Sequence, residues 1–272
     1  MELKMQDGNK SFIRSILWLS FFITILISWV YVFQMSSSMK LDWFGNMKMG
    51  SMADGGMKMG SMADGGMKMG SMATLKMLFP MWSIMMIAMM LPAMVPTLRT
   101  YQDLIKTAEG SWLGWSGVLV GYIVIWIGFS LLISQLQVSL TSVDFLNSAG
   151  IIQSDWIISL ALVAVGVFQF TVLKDFCHEV CHSPFGYFMS NWRSGLLGGF
   201  RMGIGLGIFC VGCCWGFMLL AFVMGYMNFI WMGLITLIVV LEKLPQIGII
   251  IKKPLGGILI LLGICSAVVN LT

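Results

Sequence analysis

Thioether side chains are the most distinctive chemical groups in this 272-residue sequence, which contains 26 methionines. Many of them lie in a tandem repeat, Met-Lys-Met-Gly-Ser-Met-Ala-Asp-Gly-Gly, which covers residues 47–56 and 57–66 and begins a third time at Met67. Within each copy the sulfurs stand at positions i, i+2 and i+5. The repeat therefore offers nine regularly spaced candidate ligands: Met47, Met49, Met52, Met57, Met59, Met62, Met67, Met69 and Met72.

The composition of this repeat predicts a flexible loop, because it is rich in glycine and has no hydrophobic period. Methionine usually fills gaps in an apolar core, and such a loop has no core to fill. A thioether is a neutral, soft ligand that selects Cu(I) over harder ions, needs no deprotonation and forms no disulfide. We therefore predict that the loop captures Cu(I), or Ag(I) as its chemical mimic. A spacer produced by repeat expansion is the alternative.

A second group of methionines lies in the apolar segment 80–96, directly after the repeat. A helix would arrange them in two adjacent rows at i+4 steps, Met81, Met85 and Met89 in one and Met86, Met90 and Met94 in the other. Such rows suit the passage of a Cu(I) ion, although packing is the commoner role of a methionine stripe. We predict Met85, Met89 and Met90 as ligands of this path, with a kink at Pro92 that exposes a backbone carbonyl.

Both histidines of the chain lie in the segment Cys177-His178-Glu179-Val180-Cys181-His182. On a helix, Cys177 and Cys181 would share a face, with His178 and His182 beside them. Four such ligands can bind Zn(II) tetrahedrally, whereas Cu(I) would more readily take the two thiolates. The segment therefore predicts a metal site, and the part played by the histidines stays open.

A second cysteine cluster occupies a long apolar segment that is rich in small residues. The spacing of Cys210, Cys213 and Cys214 at i, i+3 and i+4 brings the three sulfurs to one helical face, and Met218 stands one turn further on. Cysteine can also serve as a small apolar packing residue. We predict a thiolate site near the middle of the membrane, because a monovalent ion there needs neutralising ligands. Cys177 and Cys181 would receive the ion from it.

A later candidate is Glu242, at the end of another apolar segment. It is a possible group for metal or proton handling. The alternative is that an ion pair, or snorkelling of long side chains to the interface, accounts for both Glu242 and Lys243.

The elements that must position these ligands are apolar helices. Apolar residues make up 58% of the chain and charged residues 10%, whereas soluble domains carry about 25% charged residues. Continuous uncharged runs of roughly 18 to 25 residues match the length of a helix that crosses a bilayer. We predict an all-α, polytopic transmembrane helix bundle with an uncleaved first helix and about seven spans, near residues 15–34, 77–97, 112–133, 156–173, 197–221, 226–241 and 255–271.

The distribution of basic residues predicts the orientation of this bundle. With the N-terminus inside, eleven of the 16 Lys and Arg residues fall on the cytoplasmic side, and the other five all lie in the loop of residues 35–76. The positive-inside rule therefore favours an inside N-terminus and an outside C-terminus. It places the methionine repeat in the exoplasmic space and residues 177–182 in the cytoplasm, where thiols stay reduced.

These spans divide the chain into three parts. Residues 1–34 form an N-terminal tail and the first transmembrane helix, and residues 35–76 form the exoplasmic methionine-rich loop. Residues 77–272 form a six-helix metal-binding membrane domain. The expected location is the cell membrane, with the lipid bilayer and metal ions as partners.

From Met77 to the C-terminus, the sequence resembles a bacterial and archaeal family described as predicted metal-binding integral membrane proteins. The resemblance rests on Trp82, Met85, Ala88-Met89-Met90, Pro92, Lys174, Cys177, Cys181, Pro184, Cys210, Gly212-Cys213-Cys214-Trp215, Met218, Gly225, Met227, Met232 and Glu242-Lys243. It implies metal binding and brings little mechanism. His178 and His182 stand where that pattern has an apolar and a basic residue, and the methionine repeat lies outside the shared region.

These observations together favour a membrane protein that captures, transports or delivers Cu(I), with Zn(II) as the alternative ion at Cys177, His178, Cys181 and His182. A membrane oxidase or a soluble copper carrier is the expected recipient, and nothing indicates a nucleic-acid partner. The sequence contains no recognisable catalytic triad, phosphate-binding glycine loop or ATPase signature, so a role other than an enzyme is favoured. The alternatives are a subunit of a copper-containing membrane enzyme and an efflux or resistance protein for copper or silver.

Overall fold

The computed structural model of the chain describes residues 2–38, 74–108, 110–146, 150–225 and 228–270. The methionine repeat of residues 47–72, with its nine predicted ligands, lies outside the described residues, as does Met227. The described part therefore bears on the predicted helical domain rather than on the predicted loop.

The described residues form ten helices, and the one β-type pairing among them is an isolated bridge between Leu146 and Ile152. The all-α prediction is confirmed. The helices are α1 (Glu2–Ser38), α2 (Leu75–Thr107), α3 (Trp112–Ser142), α4 (Asp155–Phe168), α5 (Val172–His182), α6 (Pro184–Asn191), α7 (Gly195–Leu219), α8 (Ala221–Met224), α9 (Phe229–Lys243) and α10 (Gly248–Val269).

Five helical segments in the described part of the chain are long and apolar enough to cross a membrane: Ser11–Ser37, Leu75–Ile105, Trp112–Ser142, Gly195–Met224 and Gly248–Val269. Helices α4 and α5 reach that length only as a pair, and that pair would make a sixth span. Helix α9 has 15 residues and is about 22 Å long, less than the roughly 30 Å of the hydrocarbon core. The number seven therefore stays a prediction.

The predicted span at residues 156–173 is interrupted in the structure. Helix α4 ends at Phe168, and α5 begins at Val172 after a bend of 64°. The hydroxyl of Thr171 caps the new helix by accepting a hydrogen bond from the backbone N–H of Lys174 at 3.3 Å. The bend turns α5 across α7 and α9, both of which it contacts.

Glycines allow α3 and α7 to pack closely along their length. A Cβ atom at Gly121 would collide with the carbonyl oxygen of Phe200, and one at Gly203 would collide with that of Val118. Small residues at such positions let two helix backbones approach each other. This contact fixes the position of α7, and with it that of the second cysteine cluster, along α3.

Helix α2 contributes both predicted methionine rows to the core. All six side chains are buried: Met81, Met85, Met86, Met89, Met90 and Met94. Pro92 lies inside the helix and has no N–H for the carbonyl four residues earlier, that of Ala88. The indole of Trp29 on α1 donates to this carbonyl at 3.0 Å. The proline therefore frees a backbone carbonyl, as predicted, and this carbonyl accepts a hydrogen bond from the side chain of Trp29.

Candidate metal centre

Helix α5 presents one buried face towards the core. Its buried residues are Lys174, Cys177, His178 and Cys181, which follow the i, i+3, i+4, i+7 pattern of a single helical face. Cys177 and Cys181 share a face, as predicted. The short, polar helix buries these side chains because the bend at residues 169–171 turns it against α7.

Helix α7 presents Cys210, Cys213, Cys214 and Met218, all of them buried. The Sγ atom of Cys213 lies 3.3 Å from that of Cys214 and 3.7 Å from that of Cys181 on α5. The Sγ atoms of Cys181, Cys210 and Cys213 all lie within 4.8 Å of one another. We call these three residues the thiol triad. It combines cysteines from the two clusters that the sequence predicted as separate metal sites.

The thiol triad is the one group of three or more His, Cys, Asp or Glu ligand atoms that lie this close together in the described ranges. Cys177, His178 and His182 therefore do not join Cys181 in a tetrahedral set. Nε2 of His178 instead donates to the backbone carbonyl of Glu242 at 2.8 Å, and its ring stacks on that of His182 with centroids 5.6 Å apart. The sulfur of Cys177 packs against Gly212. A Cβ atom added at Gly212 would lie 2.7 Å from that sulfur.

Two buried lysines border the thiol triad, and sequence reasoning did not identify either of them as part of the site. Nζ of Lys243 donates to Sγ of Cys210 at 2.7 Å. Nζ of Lys174 donates to Oε2 of Glu242 at 2.8 Å and to the backbone carbonyl of Cys213 at 2.7 Å. The sequence does contain a signal for both lysines, because each is a charged residue beside an apolar segment. Lys174 lies one turn before Cys177, and Lys243 lies at the end of α9.

The structure corrects the snorkelling interpretation of Glu242 and Lys243, and it supports the ion-pair interpretation for Glu242, whose partner is Lys174. Glu242 is 1% exposed and Lys243 is 4% exposed, so neither side chain reaches the surface. Glu242 pairs with Lys174, which is 0% exposed, whereas Lys243 turns towards Cys210. The physical reason is geometric, because adjacent residues on α9 point in different directions and meet different neighbours.

Tyr122 on α3 connects the thiol triad to the methionine-rich helix. Its hydroxyl lies 3.1 Å from Sγ of Cys210 and 3.3 Å from the backbone carbonyl of Met90 on α2. Tyr122 therefore bridges the backbone of α2 at Met90 and the sulfur of Cys210. The site offers three soft sulfur ligands, and two lysines supply positive charge beside them.

A protein-family model matches most of the chain. Residues 79–266 match the family model of PpoB2, described as a copper chaperone. No curated protein and no solved structure matches the chain. The matched region contains the thiol triad, both lysines and the methionine rows of α2, and the expectation of copper handling is confirmed at the level of the family. Because the match covers well over half of the chain, the protein belongs to the PpoB2 copper chaperone family.

Proposed function

We propose that this protein is an integral membrane copper chaperone that collects Cu(I) on the methionine repeat and holds it at the thiol triad for delivery. The observation that carries the proposal is the convergence of three buried sulfurs, on Cys181, Cys210 and Cys213, within 4.8 Å. Thiolates are soft ligands that suit Cu(I). A soluble copper carrier or a membrane oxidase is the proposed recipient.

The proposed membrane location rests on helix length and on the surface of the bundle. Five segments are long and apolar enough to cross a bilayer. Helices α1 and α10 carry large apolar side chains on their exposed faces, such as Phe22, Leu26, Ile258 and Leu261. Soluble monomeric proteins rarely expose continuous apolar surface of this kind, whereas lipid-facing helices require it.

The proposed route inside the protein follows the methionine rows of α2. Their sulfurs lie in the buried core, and the hydroxyl of Tyr122 lies within 3.3 Å of the Met90 carbonyl and within 3.1 Å of Cys210. A neutral thioether can carry Cu(I) along the helix, and a thiolate holds it more firmly because it neutralises the charge of the ion. Met85, Met89 and Met90 are the proposed carriers, and Met218, which is buried on α7 one turn after Cys214, is a further candidate.

The donor set favours Cu(I) over Zn(II) as the cargo. Structural zinc sites are almost always tetrahedral with four protein ligands. In the part of the chain that the structure describes, the compact group of ligand atoms contains three sulfurs and no histidine nitrogen. The sulfur of Cys214 contacts Cys213 at 3.3 Å but is not part of this group. Cu(I) is served by soft sulfur ligands, so the triad suits the softer, monovalent ion.

The proposal is tested by the copper content of the full-length protein in which Cys210 and Cys213 are both changed to serine. Serine keeps nearly the same size and removes the soft ligand. We expect the double variant to lose the ultraviolet absorption of Cu(I)–thiolate bonds, with its elution and thermal unfolding unchanged. The matched control is Cys265→Ser, because Cys265 is exposed and lies outside the triad. A double variant with a full Cu(I)–thiolate signal would show that the triad only packs the core.

A further inference from the structure

The ammonium group of Lys243 is buried beside the thiol triad without a carboxylate partner. Its Nζ lies 2.7 Å from Sγ of Cys210 and 5.7 Å from the centroid of the Tyr122 ring. Within the described ranges, no carboxylate oxygen lies within 4.0 Å of it. A buried charge is costly unless another charge or strong hydrogen bonds compensate it. The group nearest to this lysine is the sulfur of a predicted metal ligand.

The other buried charges near the triad are already compensated. Lys174 and Glu242 form an ion pair with an N–O distance of 2.8 Å, and Lys174 also lies over the ring of Phe217 with 4.9 Å to the centroid. Lys252 pairs with Asp175 on α5. Lys243 therefore contributes one formal positive charge that the neighbouring acidic groups do not balance.

We propose that Lys243 is a positioning residue that sets the charge of the cargo site, so that Cu(I) is held by two of the three cysteine thiolates. This inference rests on the proposed function. Cysteine sulfurs bind metals as thiolates and release their protons on binding, so one Cu(I) ion, two thiolates and the ammonium of Lys243 form a neutral set. Three thiolates would leave one negative charge in a buried site, which is unfavourable. Lys243 therefore favours a two-thiolate complex, with the third sulfur within exchange distance.

Two substitutions separate the charge of Lys243 from its shape. Lys243→Met removes the charge and keeps a long side chain, whereas Lys243→Arg keeps a permanent positive charge. Lys252→Met is the matched control, because Lys252 is also buried and its ammonium pairs with Asp175 rather than with a triad sulfur. Each full-length protein is purified in detergent and loaded with Cu(I). A Cu(I) chelator then competes for the metal while the absorption of the Cu(I)–thiolate bonds is followed.

We expect Lys243→Met to weaken Cu(I) binding at the thiolates on the order of 100-fold, because it leaves a buried charge uncompensated. Lys243→Arg should stay within about 3-fold of the wild type, and Lys252→Met should equal it. Equal binding by Lys243→Met and the wild type would overturn the inference, as would equal losses in the Met and Arg variants. A wild type without Cu(I)–thiolate absorption would instead overturn the proposed function.

A measurement on the unchanged protein tests the inference even if Lys243→Met fails to fold. X-ray absorption of the wild type, loaded with less than one Cu(I) per chain, gives the number of sulfur ligands from the copper–sulfur distance. We expect two sulfur ligands. Three sulfur ligands at this loading would overturn the proposed charge balance, and the proposed cargo site would still stand.

Discussion

At the scale of single residues, the two cysteines of α5 have different surroundings although they share a helical face. The sulfur of Cys181 lies 3.7 Å from that of Cys213, whereas Cys177 packs against Gly212 and stays outside the thiol triad. A shared face at i and i+4 therefore leads to a shared helix–helix interface but not to a shared ligand set. The difference makes the two residues a natural matched pair.

Substitution of Cys181 by serine is expected to lower the Cu(I) that the protein retains against a chelator by at least about half, because two triad sulfurs remain and no third sulfur is left for exchange. Cys177→Ser is expected to leave that retention unchanged. The Cu(I)–thiolate absorption of the two purified variants under equal chelator competition provides the measurement. If Cys177→Ser lost as much Cu(I) as Cys181→Ser, ligation by both cysteines of α5 would replace ligation by the triad.

The buried ion pair between Lys174 and Glu242 predicts a large effect on stability. Glu242→Gln leaves the ammonium of Lys174 buried without a charged partner and should lower the free energy of unfolding by about 3–5 kcal/mol. Glu179→Gln is the control, because Glu179 is exposed on α5 and its substitution should cost about 0.5 kcal/mol or less. Thermal unfolding of both variants in the same detergent compares them, and equal losses would contradict the prediction.

At the scale of helices, the bend between α4 and α5 makes the site possible. A straight helix from Asp155 to His182 would continue along the axis of α4 and would not turn Cys181 towards α7. The bend of 64° instead lays α5 against α7 and α9, so that three helices supply the triad, Lys174 and the pair Glu242 and Lys243. The contact between α3 and α7 then determines how deep the cysteines of α7 lie.

A pair of glycine substitutions in α3 tests that helix contact. Gly121→Ala places a methyl group against the carbonyl oxygen of Phe200, whereas a Cβ at Gly128 meets nothing within 4 Å. We expect Gly121→Ala to destabilise the protein by roughly 1–3 kcal/mol through overpacking. Gly128→Ala should be neutral or slightly stabilising, because alanine favours the helix. Similar unfolding temperatures for the two variants would show that α3 and α7 can separate without cost.

At the scale of the whole molecule, the proposed path requires the methionine repeat and the thiol triad to act in sequence. Deletion of residues 47–73 is expected to lower the total bound copper and to leave the Cu(I)–thiolate absorption in place, because thioethers and thiolates form separate sites. Metal analysis and spectra of the same sample provide the comparison. Loss of the thiolate signal together with the repeat would indicate one shared site.

The orientation of the molecule is tested at the repeat itself. A cysteine introduced at Ser61, in a Cys265→Ser background, should react with a membrane-impermeant thiol reagent in intact cells, because the positive-inside rule places this loop outside. The same variant serves both arms of the experiment, which are labelling in intact cells and labelling after the cells have been opened. Labelling that requires opened cells would reverse the topology and place the repeat in the cytoplasm.

Local patterns in the sequence were sufficient to predict the all-α fold, five of the apolar helices and the helical faces on which the cysteines lie. Sparse charge and long uncharged runs predicted helices of spanning length, and the spacing of Cys210, Cys213 and Cys214 predicted one sulfur-rich face. These properties depend on residues within about two turns of each other, where helical geometry is already determined.

Only the tertiary structure decided which faces meet. It brought Cys181 into the triad across a bend, paired Glu242 with Lys174, and placed Lys243 against Cys210. Each of these contacts joins residues that lie 32 or more positions apart. Helical periodicity gives the direction of a side chain from its own axis, whereas the angle and depth at which two helices cross depend on glycine contacts and chain breaks elsewhere in the molecule.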